Sequence, residues 1–412
     1  MSPSVVIVGA GIVGVSTGIW LRRMGAEVTL IDRGAPGQGT SYGNAGVLAA
    51  CSMVPVTGPG LLRKAPAMLA NPDVPLFLRW SYLPKLAPWL IRYMRNANDG
   101  DTRRIARGLT QIVGDSVAQH RALSDGTRAA ALMREGDYVF AYPDRAAFDA
   151  EHYTWELRRD AGFVPKLIEG ADVQDYDPAL GPAITCVARL PDHGHIRDPG
   201  GYVAALAADL VDLGGRMVQA EVRDFDLVDG ILRAVDTDQG RFPCDCAVLA
   251  TGVWSRRLMA KIGLNIPLET ERGYHILFEN AEGGPQHPTM ISSGKFVATP
   301  MERGVRCAGI LEFGGLEAGP SQAPLALLRR HVAAALPHLK ATGEEEWLGH
   351  RPAPSDSLPL IGETTVKGLH TAFGHHHIGL TGGPKTGRLL AGMLTGHHPN
   401  IDMSPYDPRR FR

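Results

Sequence analysis

The run Ser4-Val-Val-Ile-Val8, followed at once by Gly9-Ala-Gly11-Ile-Val-Gly14, constrains this chain more than any other stretch of it. A short β-branched run bounded by glycine is the pattern of a strand buried on both faces of a parallel sheet. The first glycine permits the tight turn out of the strand, the second lets a pyrophosphate approach the backbone, and the third lets the next helix lie against the sheet. Free N–H groups and the helix dipole then face an anion. The pattern predicts that helix over residues 12–24 and a second strand over 26–31, ending at Asp32, whose carboxylate is placed to accept hydrogen bonds from an adenosine ribose. Arg33 beside it reads either as a contact for a 2′-phosphate or as a solvated surface side chain. Strand, glycines, helix, strand and acid in register predict a Rossmann-like βαβ unit and an α/β fold.

The residues beyond Asp32 separate the dinucleotides. A nicotinamide-binding chain continues with further βαβ units, whereas residues 37–46 form a small, polar loop suited to closing over a diphosphate and a ring system. Far downstream, 245–252 reads as a buried strand ending in a small-residue turn, and 215–222 as a strand whose end, at Val222, meets an adenine. Near the C-terminus, Gly349-His-Arg351-Pro leads to Pro359-Leu-Ile-Gly362 and then to Gly374-His375-His376-His377-Ile378-Gly379-Leu380-Thr381. On the GAGIVG start, the SYGNAG loop, LATG, RGYH, the RP and PLIG segments and the terminal GHHHIGLTGGPKTG, the chain resembles the FAD-dependent D-amino acid oxidase superfamily. It is most similar to the bacterial D-amino acid dehydrogenase branch, whose relatives include glycine and sarcosine oxidases and hydroxyproline dehydrogenases.

The resemblance covers nearly the whole chain. It implies a Rossmann-like FAD-binding domain built from discontinuous segments (1–50, 195–265 and 345–412) and an α+β substrate domain (51–194 and 266–344) with a mixed, largely antiparallel sheet. It implies noncovalent FAD, because some relatives attach the flavin through a cysteine near the C-terminus and none lies beyond Cys307. The cofactor-binding residues carried over are Gly9, Gly11, Ile12, Val13, Gly14, Asp32, Arg33, Thr40, Ser41, Asn44, Ala45, Gly46, Val222, Ala250, Thr251, Gly252, Trp254, Arg351, Gly374, His375, His377, Ile378, Gly379, Leu380 and Thr381.

Amine oxidation by a flavin asks the protein to orient the substrate Cα, to neutralise its carboxylate and to stabilise charge on the reduced ring. A buried, unpaired carboxylate is prohibitive, and a guanidinium grips both oxygens at once. The resemblance places Arg272 and Arg351 in that role. The competing reading is a structural ion pair, Arg272 with Glu269 or Glu271 and Arg351 with Asp356. Tyr274 is expected to add its hydroxyl to the grip, and His376 to accept the ammonium proton. The three consecutive histidines read as pocket lining and not as metal ligands, since adjacent side chains on an extended loop diverge. Gly382-Gly-Pro384 reads as a helix start aimed at the flavin's pyrimidine edge.

Composition narrows the partners. Lys and Arg number 42 against 43 Asp and Glu, so no positive field draws the chain onto nucleic acid. Five cysteines without C-x-x-C spacing imply neither a disulfide framework nor a zinc site, as in a reducing, cytoplasmic setting. Residues 61–95 interleave aromatic and aliphatic side chains with basic ones from Arg63 and Lys64 to Arg95. They read as helices packed on the substrate domain, or as a peripheral contact with anionic headgroups on the inner face of the membrane, which suits electron transfer to a quinone. The function expected is FAD-dependent oxidative deamination of a small D-amino acid or cyclic imino acid of the D-proline or hydroxyproline type, with hydride passing from Cα to flavin N5 and electrons to a quinone or another acceptor. The alternatives are a glycine- or sarcosine-type amine oxidase using oxygen, and a noncatalytic flavin-binding or membrane-adaptor module.

Overall fold

The computed structural model describes residues 3–63, 65, 71 and 73–411; Lys64, one of the basic side chains of the 61–95 segment, lies outside them. Ser4–Val8 runs through the middle of a six-stranded sheet, parallel to Cys246–Leu249 on one side and to Glu27–Asp32 on the other. Leu369–Phe373 and Arg216–Gln219 extend the parallel sheet outward, and Leu360–Glu363 closes one edge antiparallel. Val5 to Val8 are at most 3% exposed, as a strand covered on both faces requires.

Helix Ile12–Arg23 reaches this sheet only because its inner face carries glycine: a Cβ on Gly14 would lie 1.9 Å from the Gly9 carbonyl oxygen. The C-terminal helix Gly379–Leu394 rides directly on Ile12–Arg23, since a Cβ on Gly387 would lie 2.6 Å from the Thr17 nitrogen. Pro384 does not start that helix, as expected from its sequence, but lies inside it. Lacking an N–H, it leaves the Leu380 carbonyl without its intrahelical donor. His120 takes that place, its Nε2 lying 2.9 Å from the Leu380 oxygen.

Residues 99–124, expected in the substrate domain, form helices Asp99–Val113 and Ser116–Ser124. They bury Ile105, Leu109, Ile112 and Leu123 in the same core as Ile7, Ile19, Leu210 and Leu390. Their apolar faces therefore belong with the dinucleotide-type sheet. Residues 215–222 also divide: Arg216–Gln219 is an edge strand of that sheet, while Val222 opens a separate three-stranded antiparallel sheet.

The second large sheet has nine strands and is mixed, largely antiparallel. Leu268–Glu279 runs antiparallel between Gly343–Pro354 and Gly304–Phe313, while Thr289–Ile291 lies parallel to Met133–Tyr142. Residues 345–354, expected in the FAD-binding domain, belong to this sheet, because Gly343–Pro354 pairs with Leu268–Glu279 along its whole length. Ile276, Phe278, Phe296 and Ile310 pack with Leu328 and Val332 of helix Gln322–Ala335.

In the basic aromatic segment, helix Leu83–Arg95 turns Leu86, Trp89 and Tyr93 inward against Phe313 and Ala353. Leu62, Trp80 and Ile91 remain exposed. No helix among the described residues is long and apolar enough to cross a membrane.

Candidate active site

A cavity of about 1330 Å³ runs from the glycine turn to the strands Leu268–Glu279 and Gly343–Pro354. Its walls include Gly9, Gly11, Ile12, Val13, Asp32, Arg33, Thr40, Ser41, Asn44, Val222, Ala250, Thr251, Gly252, Trp254, Gly374, His375, His376, Gly379 and Leu380. Of the cofactor-binding candidates, Gly14, Ala45, Gly46, Arg351, His377, Ile378 and Thr381 do not line it. Gly46 N–H donates to Asn44 Oδ1 at 2.8 Å, and the Thr381 hydroxyl donates to the Val47 carbonyl at 3.2 Å, tying the loop to the C-terminal helix.

The donor set fits FAD. Helix Ile12–Arg23 starts at Gly11 with no side-chain cap and no acid in its first turn, which leaves its N-terminus open to a diphosphate. Ile12 N–H reaches Ser41 Oγ at 3.1 Å, fastening the 37–46 loop over that end. Asp32 is held at the strand end by Ala10 N–H on Oδ2 (2.7 Å) and Gly34 N–H on Oδ1 (2.9 Å), each oxygen keeping a second lone pair for a ribose hydroxyl. Arg33 is exposed, as the surface reading expects, and its guanidinium stacks on Trp254 at the cavity wall, 4.8 Å from the ring centroid. The cavity's other end meets the N-terminus of helix Gly379–Leu394.

The structure separates the two arginines. Arg272 is fully buried, its Nε 2.8 Å from Glu312 Oε2, and it donates to the carbonyls of Gly315, Ala318 and Gly319 at 3.2, 2.7 and 2.6 Å. Tyr274 belongs to the same knot: its hydroxyl donates to Glu312 at 2.6 Å and accepts from Ser321 N–H at 2.9 Å. Neither side chain reaches the cavity, and both expected carboxylate-gripping roles are corrected to that of a clamp. The clamp holds the loop whose Gly314, Gly315, Leu316, Glu317 and Ala318 form a cavity wall. The ion-pair partner is Glu312, across the Gly304–Phe313 strand, and not Glu269 or Glu271.

Arg351 makes no such pair with a described residue. Asp356, its expected structural partner, is engaged by Arg410 at 2.7 Å. The Arg351 guanidinium lies over Gly273, where a Cβ would come within 2.6 Å of it, and burial pulls its pKa below the ordinary value against the opposing charge of Glu271. Glu271 faces Arg351 across the ladder and is 3% exposed. His376 Nε2 lies 2.7 Å from Glu271 Oε1, and its Nδ1 lies 2.5 Å from His377 Nδ1. His376 holds φ +55°, a left-handed backbone uncommon among residues other than glycine. His375 turns away, its Nε2 2.9 Å from Thr386 Oγ1, and burial pushes its pKa down to about 4.

Sequence reasoning missed several wall residues. Trp347 lines the cavity, and a Cβ on Gly43 or on Gly349 would lie 2.0 or 1.9 Å from its ring. His275 stacks on the same indole at 5.1 Å. Glu269 also lines the cavity; burial raises its carboxyl pKa despite hydrogen bonds from Thr270 N–H and the Tyr82 hydroxyl. The glycines facing Trp347 were visible, but nothing in the sequence paired positions 43 and 349 with it.

Residues 4–393 match the DAO family, described as FAD dependent oxidoreductase. A D-amino-acid oxidase of Bradyrhizobium diazoefficiens is 39% identical over 99% of this chain and 98% of its own length. A D-amino acid dehydrogenase of Rhizobium rhizogenes is 27% identical over 99% of both chains. Among solved structures, the L-proline dehydrogenase of P. horikoshii superposes with a TM-score of 0.76 at 19% identity, covering 100% of this chain and 98% of that one. Glycine oxidase of Bacillus cereus does so at 0.70 and 20% identity, covering 97% and 96%.

Proposed function

The chain belongs to the DAO family of FAD-dependent oxidoreductases, and we propose that it oxidises a small D-amino acid or cyclic imino acid at its Cα to the imino acid. The observation that carries this reading is Arg351, a desolvated guanidinium with no salt bridge to a described residue, on the strand whose residues 347–350 and 352 line the cavity that fits FAD. Desolvated charge of this kind is retained where a ligand completes it, and a free carboxylate is the planar anion a guanidinium fits. Bound FAD supplies the acceptor for the Cα hydride. Arg351 holds the carboxylate, Gly273 leaves its guanidinium room, and the wall at 314–318 keeps the substrate carbon in one orientation and out of water. The relatives named D-amino-acid oxidase and D-amino acid dehydrogenase support the D configuration. FAD is read as noncovalent, since no cysteine among the described residues lines the cavity.

For the electron acceptor we keep a quinone reached by peripheral membrane contact, supported by exposed Leu62, Trp80 and Ile91 beside exposed Arg63, Lys85, Arg92 and Arg95. Stoichiometric hydrogen peroxide at full turnover would instead group the protein with the oxidases. The reading as a whole is tested by anaerobic bleaching of the flavin absorbance with D- and L-amino acids, N-methylglycine and amino acid amides. D-amino acids should bleach it and their amides should not. Bleaching by amides as readily as by acids removes Arg351 from the reaction.

A further inference from the structure

The three histidines of 375–377 are not equivalent. His375 is locked to Thr386 and held neutral by burial. His377 keeps accessible surface beside the cavity-wall residue His376. Desolvation by the surrounding protein, then the neighbouring charges of His376 and Arg351, pulls its pKa well below the ordinary value. His376, whose backbone is left-handed, sits between His377 and the buried Glu271 carboxylate, with one ring nitrogen close to each. Strain of this kind persists where the surroundings over-determine it, often at sites of function. The groups facing the pair are Glu271 from strand Leu268–Glu279, Arg351 from Gly343–Pro354, and Tyr93 of helix Leu83–Arg95 behind Glu271.

We propose that Glu271, His376 and His377 form a proton relay that takes the ammonium proton of a substrate whose carboxylate is held by Arg351. The inference rests on the amino acid reading of the site. An α-ammonium must lose a proton before the nitrogen lone pair can assist departure of the Cα hydride. In the resting relay His376 Nε2 stands 2.7 Å from Glu271 Oε1 as a charge contact that completes no hydrogen bond, and His377 Nδ1–H donates to His376 Nδ1. His377 Nε2 accepts the substrate proton while the His377 Nδ1 proton moves to His376 Nδ1. His377 ends neutral, the substrate amine ends neutral, and the positive charge rests on His376 against Glu271. In this relay His377 is the group that would meet the substrate; His376 and Glu271 carry the charge away from Arg351, whose field disfavours a second cation beside it.

The test uses FAD-loaded wild type, His377→Gln, His376→Asn and Glu271→Gln. Asparagine tolerates the left-handed backbone of position 376, which keeps that turn. Two quantities are read: the anaerobic rate of flavin bleaching by D-alanine and D-proline from acid to alkaline pH, and benzoate binding by the shift it causes in flavin absorbance. Each variant should bleach about 10²-fold more slowly near neutral pH, the usual worth of a positioned base. Each should approach wild type once the free amine is itself deprotonated, and should bind benzoate as wild type does. The Glu271→Gln/His377→Gln double variant should be no slower than the worse single one. A loss of the same factor at every pH, or a neutral-pH loss under threefold, overturns the relay. If no amino acid bleaches the wild type and benzoate does not bind, the amino acid reading itself fails and the relay with it.

Discussion

Replacing Arg272 or Arg351 by methionine should give opposite signatures, although the sequence offers both arginines for one task. Arg272→Met strips the buried Glu312 carboxylate, 4% exposed, of the counter-ion 2.8 Å away and removes the donor shared by the Gly315, Ala318 and Gly319 carbonyls. Arg79, 3.2 Å from Glu312 Oε1, remains as a second counter-ion, so the cost falls below the figure of about 3–5 kcal/mol for a buried pair left wholly uncompensated. Burial pushes the Glu312 pKa up, but hydrogen bonds from Ser321 and Tyr274, with the charges of Arg272 and Arg79, outweigh it and leave the carboxyl below its ordinary value. A carboxyl lowered in the folded state contributes stability that is present above the unfolded pKa and lost as pH falls through the folded one. The Arg272→Met deficit should therefore be largest near neutrality and shrink in acid. Arg351→Met orphans no ion pair and relieves a desolvated guanidinium, so its unfolding free energy should stay within about 1 kcal/mol of wild type while amino acid bleaching collapses. Urea unfolding at pH 7 and pH 4, with FAD content and bleaching rate on the same samples, reads all of this. Equal destabilisation by both substitutions, or an Arg272→Met deficit that ignores pH, refutes the division of roles.

The glycines and the histidines carry two further outcomes. Gly11→Ala has room in the folded chain, its Cβ meeting nothing nearer than Ser41 Oγ at 3.3 Å, so it should fold and lose FAD, whereas Gly14→Ala, 1.9 Å from the Gly9 oxygen, should fail to fold; circular dichroism beside flavin absorbance separates the two, and a yellow Gly11→Ala protein contradicts the assignment. Burial lowers the pKa of His120, His195 and His375 to about 4 and of His275 to about 3, so the unfolded chain binds protons first as pH drops below the ordinary histidine value. Stability should fall from about pH 6.5 toward pH 4, at up to about 1.4 kcal/mol per pH unit for each histidine; a flat urea midpoint over that range contradicts it.

The part of the molecule legible in the sequence is the part local to it. The strand, the glycine turn, the helix and Asp32 lie within one short segment, and each glycine has a backbone reason that needs no tertiary contact to be guessed. The antiparallel partnership of Leu268–Glu279 with Gly343–Pro354 is invisible in this sense, because it joins segments far apart in the chain. Once formed, it decides which side chains share a face. Side chains alternate along both strands, so a ladder that sets Glu271 opposite Arg351 also sets Gly273 opposite Gly349 on the same face. The two glycines clear the space that the Arg351 guanidinium and the Trp347 ring occupy. Arg272, one position off, points through the other face to Glu312. The motif RGYH thus names the arginine that sequence can see, while register sets its neighbour Glu271 opposite Arg351, the pair on which the proposed site rests. A one-residue slip of this ladder would exchange the two faces, and with them the clamp and the site.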